Sequence, residues 1–184
     1  LRMNGLSARV VNAFLSPTPM TANVDTSAPC HGGFQPTTAS ERAAPRHQKV
    51  QSLRLDELDE LKDPHTSVAL WHLDVEGAEL PVLRSAAKLF SRRQVERVLF
   101  EVSLKRWGKF GIASKQAGLN ELRALFAGWT CTWACNGRPF PWRPIARREV
   151  YCAPPWNEHS DLGWGLFDVF CVAPGLNPMW NATR

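Results

Sequence analysis

The chain has 184 residues, of which 44% are hydrophobic and 21% are charged, as in a single globular domain. Its 22 Lys and Arg residues outnumber 17 Asp and Glu residues, giving a net charge of +5, but the basic residues are spread along the chain. Because no groove-reading or aromatic-interleaved motif accompanies them, and no apolar run is long enough for a membrane span, we expect neither a nucleic-acid site nor a transmembrane segment.

The first third of the chain predicts two strands separated by a long irregular segment. Ala8 to Leu15 has the apolar and β-branched content of a strand, which a Pro-rich turn ends. Residues 18–46 are rich in Pro, Thr, Ser, Ala and Gly, so we expect a long mobile loop, either a functional lid or a disordered segment. Val50 to Leu55 predicts the next strand, and Asp56 to Leu61 predicts a short helix.

The rest of the chain alternates predicted strands and helices. Val68 to Leu73 predicts a short buried strand, and a helix follows from Ala78 to Phe90. Arg97 to Val102 contains the continuous apolar run of a buried parallel strand, and Lys115 to Ala127 predicts an amphipathic helix. Residues 129–135 and 166–172 predict two closing strands. The order strand, helix, strand indicates an α/β fold with a right-handed crossover.

The chain contains five cysteines, none of them in a C-x-x-C motif: Cys30, Cys131, Cys135, Cys152 and Cys171. An odd number cannot pair completely within one chain, and no histidines lie at zinc-site spacing from Cys131 and Cys135. The pattern favours buried free thiols, no zinc site and a reducing, cytoplasmic location. Because the chain begins without methionine, we also consider that an upstream segment carries targeting information.

Three carboxylates, Asp74, Glu76 and Glu79, follow the central predicted strand. Ligands of open α/β sheets bind outside the carboxyl ends of the strands, and crowded acids hold a proton more tightly, as a general base requires. The alternative is capping of the following helix, which explains Glu76 and Glu79 better than Asp74. Glu101, predicted at the end of the next strand, is a further candidate; its alternative is a surface acid paired with arginine.

These residues also carry a family resemblance. Asp74-Val75-Glu76-Gly77-Ala78-Glu79, followed by Val82-Leu83-Arg84, resembles the signature of the FkbM family of S-adenosylmethionine-dependent methyltransferases. Leu53 to Leu58 resembles the family's preceding leucine-aspartate segment, and Val98 to Val102 resembles its next strand, whereas His72 stands where the family usually has lysine. The resemblance implies an α/β fold, namely an incomplete Rossmann-like methyltransferase sheet with parallel central strands and an antiparallel C-terminal pair.

The resemblance also implies a function and a set of site residues. It implies S-adenosylmethionine as cofactor and methylation of a hydroxyl on a sugar or secondary metabolite, hence a small-molecule or glycan acceptor. Asp74, Glu76 and Glu101 are then the predicted catalytic residues, and Asp74 and Gly77 the predicted cofactor-binding residues. A divalent cation that polarises the hydroxyl stays open, because three acids without a histidine geometry leave metal use undecided. The sequence does not indicate an oligomeric state.

One family feature is missing from this sequence. Family members carry a glycine-rich cofactor loop after the first strand, but the chain has no G-x-G-x-x-G, and Gly32-Gly33 does not follow a predicted strand. The resemblance covers roughly the last two thirds of the usual domain, from near its third strand. We therefore expect residues 1–184 to form a partial domain with little methyl transfer by itself; the alternative is a non-catalytic binding or assembly module derived from that fold.

Overall fold

The computed structural model describes residues 2–3, 6–25, 47–135, 137–143 and 166–177. The strands are β1 (Arg2–Met3), β2 (Leu6–Ser7), β3 (Phe14–Leu15), β4 (Thr21–Asp25), β5 (His47–Leu53), β6 (Trp71–Leu73), β7 (Arg97–Ser103), β8 (Thr130–Trp133) and β9 (Leu166–Val172). The helices are α1 (Asp59–Lys62), α2 (Glu79–Arg84), α3 (Ala87–Ser91) and α4 (Lys115–Leu125), with 3-10 turns at Leu55–Glu57 and Trp107–Phe110. Within these ranges, none of the helices has the length and apolar content of a membrane span.

A four-stranded sheet with the order β6-β7-β9-β8 forms the centre of the molecule. β6 and β7 are parallel, and β9 runs antiparallel to both of its neighbours, β7 and β8. The predicted parallel pair and the predicted antiparallel closing pair are both confirmed, and so is the α/β fold class. β7 is an inner strand of this sheet, paired with β6 on one side and β9 on the other. Val98, Phe100 and Val102 are fully buried on one of its faces.

The main apolar core joins this buried sheet face to the helices. Leu83 from α2, Leu89 from α3 and Leu122 from α4 are fully buried in the same cluster as Phe100. The ring of Phe126, just after α4, stacks on Phe100 with a centroid distance of 5.4 Å. This packing holds α2 and α4 in place next to the turn that follows β6.

The first third of the chain differs from its prediction. A strand from Ala8 to Leu15 is wrong except for β3, since residues 8–13 pair with no strand in the described part of the chain and Val10 stays 71% exposed. The predicted loop at 18–46 is wrong for β4, which pairs antiparallel with β5 in a small sheet of order β3-β5-β4. Local composition does not reveal a partner about 30 residues away. Residues 26–46 lie outside the described ranges.

The helix predicted from Ala78 to Phe90 is two helices, α2 and α3. Asp56, from the preceding 3-10 turn, donates its backbone N–H to the Ser85 carbonyl at 3.2 Å. The Asp56 carboxylate also accepts the Lys88 backbone N–H at 3.1 Å, inside the first turn of α3. The Ser85 hydroxyl donates to the Val82 carbonyl at 2.6 Å. Tertiary hydrogen bonds at Ser85 and Asp56 therefore interrupt a continuous apolar helical pattern.

The cysteines also differ from the prediction. Cys131 on β8 and Cys171 on β9 are directly opposite each other, with Cα atoms 4.1 Å apart, and form a disulfide. Cys135 is disulfide-bonded as well. The prediction of free thiols is therefore wrong for these three residues. For Cys131 and Cys171 the reason is cross-strand register, which brings together cysteines that are 40 residues apart. Cys30 and Cys152 lie outside the described residues.

Candidate active site

A tight turn links the end of β6 to the start of α2. Glu76 and Gly77 both have positive φ, at 54° and 106°, and the Ala78 N–H donates to the Val75 carbonyl at 3.1 Å. A left-handed conformation costs a residue with a side chain more than it costs glycine. The chain therefore reverses direction within a few residues and places the acids of this segment in different surroundings.

Gly77 lies against two side chains of the segment after β7. A Cβ atom at position 77 would lie 2.5 Å from the Arg106 Cβ and 3.2 Å from the Phe110 ring. Both the positive φ and this close approach require glycine at position 77. The space beside its Cα is filled by the protein's own side chains, so packing explains the glycine, and a cofactor-binding role for Gly77 stays a prediction.

Glu79 is a fully buried acid at the first position of α2. Its Oε1 accepts the Gly77 backbone N–H at 2.8 Å, and its Oε2 accepts the indole N–H of Trp107 at 3.3 Å. Burial raises the pKa of Glu79, the Asp74 charge adds to this rise, and the two hydrogen bonds act against it. Glu79 thus ties the turn, α2 and the 3-10 turn together, in agreement with a structural role.

Glu76 pairs with Arg106 across the turn. Its Oε2 contacts the guanidinium group of Arg106, and both side chains are about one-third exposed or less. The extended backbone that would have put Asp74 and Glu76 on one side is not present, because Glu76 adopts a left-handed conformation. The carboxylate of Glu76 is therefore engaged by Arg106, whereas the charge of Asp74 acts on Glu101.

Glu101 lies within β7 rather than at its end, on the opposite face of the strand from Val98 and Phe100. It is half-buried, and its Oε2 is inaccessible to solvent with no hydrogen-bond partner among the described residues. Burial raises the pKa of Glu101 to about 7, and the charges of Asp74, Glu79 and Asp168 add to the rise. The predicted alternative, a surface acid paired with arginine, does not describe this environment.

Asp74 and Asp168 complete the acidic group around Glu101. Asp74 is exposed directly after β6, and Asp168 is exposed on β9. Burial and the Asp74 charge raise the pKa of Asp168, whereas His72 lowers it. Sequence reasoning missed Asp168; the available signal was one acid within the apolar strand Leu-Phe-Asp-Val-Phe.

These acids lie on neighbouring strands of an α/β sheet: Asp74 directly follows β6, Glu101 is within β7 and Asp168 is within β9. The segment that carries Asp74 and Glu101 matches a known family. The family model described as the methyltransferase FkbM domain matches residues 17–129, more than half of the chain. The chain belongs to the FkbM methyltransferase family. No curated protein and no solved structure matches it significantly.

FkbM membership implies S-adenosylmethionine as the methyl donor. That molecule carries a cationic sulfonium, and an exposed carboxylate such as Asp74, with Asp168 and Glu101 nearby, fits a cationic group. The Gly77 turn does not offer an open backbone cradle for the adenosine part, because Arg106 and Phe110 fill the space. The acidic face of this FkbM domain therefore fits the sulfonium group of the cofactor. The turn at Gly77 does not fit its adenosine group.

The described residues of the FkbM chain contain no group of three or more His, Cys, Asp or Glu side chains placed to hold a metal ion. The family match contains Asp74, Glu76, Gly77 and Glu101 but ends before β8 and β9. Asp168 thus lies outside the matched segment, although strand pairing places it beside Glu101.

Proposed function

We propose that this chain is part of an S-adenosylmethionine-dependent O-methyltransferase, with Glu101 as general base. The observation that carries the proposal is the environment of Glu101. Its carboxyl group is half-buried, its Oε2 has no hydrogen-bond partner in the part of the chain that the structure describes, and its pKa is raised to about 7. A general base works best when its pKa lies near the working pH. Family membership supports methyl transfer independently.

The protein forms no covalent bond to the substrate in this proposed reaction. When bound, S-adenosylmethionine supplies a methyl group on a sulfonium, and the C–S electron pair stays on sulfur when the methyl group leaves. The protein has to hold an acceptor hydroxyl in line and remove its proton. Glu101 Oε2 is the atom that we assign to receive that proton. The acceptor is a small molecule or glycan with a free hydroxyl, on a sugar or another secondary metabolite.

The other predicted site residues take different parts in this proposal. Asp74 is assigned to the cationic end of the cofactor and to the electrostatic environment of Glu101, which its charge already affects. Glu76 is a weaker catalytic candidate, because its carboxylate is paired with Arg106. Gly77 supports the site through the turn geometry that it permits.

The partial-domain interpretation belongs to this proposal. The sequence has no G-x-G-x-x-G, so the backbone N–H groups that cradle such a cofactor would come from polypeptide upstream of Leu1. The same observation, together with the filled space beside Gly77, favours the second candidate function, a non-catalytic binding or assembly module.

Two measurements separate the candidates. Calorimetric titration with S-adenosylmethionine, on this chain and on an upstream-extended version, tests cofactor binding. Labelled S-adenosylmethionine with a panel of monosaccharides and hydroxylated metabolites tests transfer. Binding and transfer by the extended version support the methyltransferase, and absence of binding by both versions supports the non-catalytic module.

The cytoplasmic location predicted from the cysteines loses its basis. The disulfide between Cys131 and Cys171, together with the disulfide-bonded Cys135, favours an oxidising compartment, since cytosolic thiols are kept reduced. We therefore propose that the chain matures where disulfides form. Mass spectrometry after alkylation of the protein purified from its native cells tests this, because free thiols at all three positions would contradict it.

A further inference from the structure

Glu101 and Asp168 face each other across two antiparallel strands. They are direct partners in the register of β7 and β9. Side chains at directly opposite positions of an antiparallel pair project to the same face, with Cβ atoms about 4.5–5.5 Å apart. Two ionised carboxylates at such positions repel each other, and the repulsion is relieved when one of them holds a proton.

The charged groups around this pair do not cancel the repulsion. The charges that act on Glu101 come from Asp74 after β6, Glu79 on α2 and Asp168 on β9, and all three are acids. The charges that act on Asp168 come from Asp74 and from His72 on β6. His72 is thus the one basic group among the described residues that shifts either member, and it acts on Asp168.

The same face of β7 carries a second buried polar group. The side chain of Ser103 is fully buried, and its hydroxyl has no hydrogen-bond partner among the described residues. Ser103 is two residues beyond Glu101 on β7, so both side chains project from the same face of the strand. The face of β7 that carries Glu101 is therefore polar as well as acidic.

We propose that Asp168 is a positioning residue for Glu101: its carboxylate, directly opposite Glu101 in the register of β7 and β9, makes the Glu101 carboxyl hold its proton more tightly through like-charge repulsion. The inference rests on the proposed function, in which Glu101 is the base. Asp168 keeps the Glu101 carboxyl poised between its two protonation states. In turnover the proton leaves the acceptor hydroxyl, binds Glu101 Oε2 and then passes to solvent.

The test compares Asp168→Asn with Asp59→Asn, which removes the same charge from an exposed residue that pairs with Lys62 on α1. Carbon-13 NMR of carboxyl-labelled glutamate, with Glu101 assigned from the missing signal in Glu101→Gln, follows the Glu101 titration without cofactor or acceptor. We expect D168N to lower the pKa of Glu101 by about half a unit or more, because a like charge is removed, and D59N to leave it unchanged. An unchanged Glu101 pKa in D168N, or an equal change in D59N, overturns the pairing.

The role in turnover is tested by the pH dependence of methyl transfer in the upstream-extended version. We expect the acid limb of the profile to move to lower pH in D168N by the same amount as the Glu101 pKa, and to return in Asp168→Glu. A shifted NMR titration with an unmoved acid limb would show that Asp168 does not position the base. Absence of transfer by the wild-type protein would refute the proposed function, while the NMR titration would still decide whether the Asp168 charge acts on the Glu101 carboxyl.

Discussion

The indole N–H of Trp107 donates to the carboxyl group of Glu79 at 3.3 Å, and both side chains are fully buried. The other oxygen of that carboxyl group accepts the Gly77 N–H, so one acid joins the turn after β6 to the segment after β7. A buried carboxyl group is tolerated only when its oxygens are paired, and both oxygens of Glu79 accept a hydrogen bond. Glu79, for which the sequence suggested helix capping, thus also connects α2 to the turn after β6 and to the 3-10 turn after β7 through buried hydrogen bonds.

We predict that Glu79→Ala lowers the free energy of unfolding by about 3 kcal/mol, because it leaves two buried donors without acceptors and opens a cavity. The matched control is Glu57→Ala, an exposed glutamate, which should cost less than about 0.5 kcal/mol. Urea denaturation followed by tryptophan fluorescence measures both values. A loss below about 1 kcal/mol for E79A would show that its hydrogen bonds do not hold the turn.

The same indole ring explains a glycine inside α4. A Cβ atom at Gly118 would lie 2.2 Å from the Trp107 ring, whereas nothing lies within 4 Å of a Cβ at Gly108. Alanine is the better helix former by about 1 kcal/mol, but overpacking costs about 1–3 kcal/mol. We therefore expect Gly118→Ala to destabilise the protein and Gly108→Ala to be neutral or slightly stabilising. Equal melting temperatures for the two variants would contradict the packing of Trp107 on α4.

Glu101 should make stability depend on pH. Its pKa rises from 4.5 in the unfolded chain to about 7 in the folded chain, so the folded state binds more protons between these values. Stability therefore falls as pH rises from about 4.5 to about 7. We expect Glu101→Gln to be more stable than wild type at pH 8 by roughly 1 kcal/mol, discounted for solvent screening of a half-exposed group. Urea denaturation at pH 5 and pH 8 measures the difference, which should vanish at pH 5; a penalty at both values would indicate a structural role.

The disulfide should contribute strongly to stability. Cys131 and Cys171 close a loop of 40 residues, for which the chain-entropy estimate is about 4 kcal/mol. We expect the double variant Cys131→Ala, Cys171→Ala to lose roughly 2–4 kcal/mol in free energy of unfolding. Reductant should lower the stability of the wild type more than it lowers the stability of this variant. Urea denaturation with and without dithiothreitol measures both effects. Wild type with no response to reductant would show that the bond is not formed in solution.

The sequence predicted the elements whose signal is local. The apolar runs of β6 and β7 and the amphipathic pattern of α4 appear in the structure within a few residues of their predicted bounds. Even so, Glu101 lies inside β7 rather than at its end, because the polar residue Ser103 continues the strand and nothing local marks where pairing stops.

Features that depend on long-range pairing could not be predicted in this way. Register alone places Asp168 opposite Glu101 and Cys171 opposite Cys131, and a single-residue shift would have separated both pairs. The break between α2 and α3 depends on Asp56, which reaches it from another element. The sequence therefore predicted the acids near the turn after β6 and Glu101 on β7. It missed Asp168, which a strand distant in sequence adds to the candidate site.

The most direct test of Glu101 as the base is labelled-methyl transfer from S-adenosylmethionine by the upstream-extended protein at pH 8, comparing Glu101→Gln with Glu96→Gln. Glu96 is a half-buried glutamate next to β7 that pairs with Arg97, so its variant carries the same chemical change without touching the proposed site. We predict that E101Q lowers the transfer rate at least about 100-fold, the usual contribution of a general base, while E96Q stays near wild type. Equal rates for E101Q and wild type would contradict the assignment.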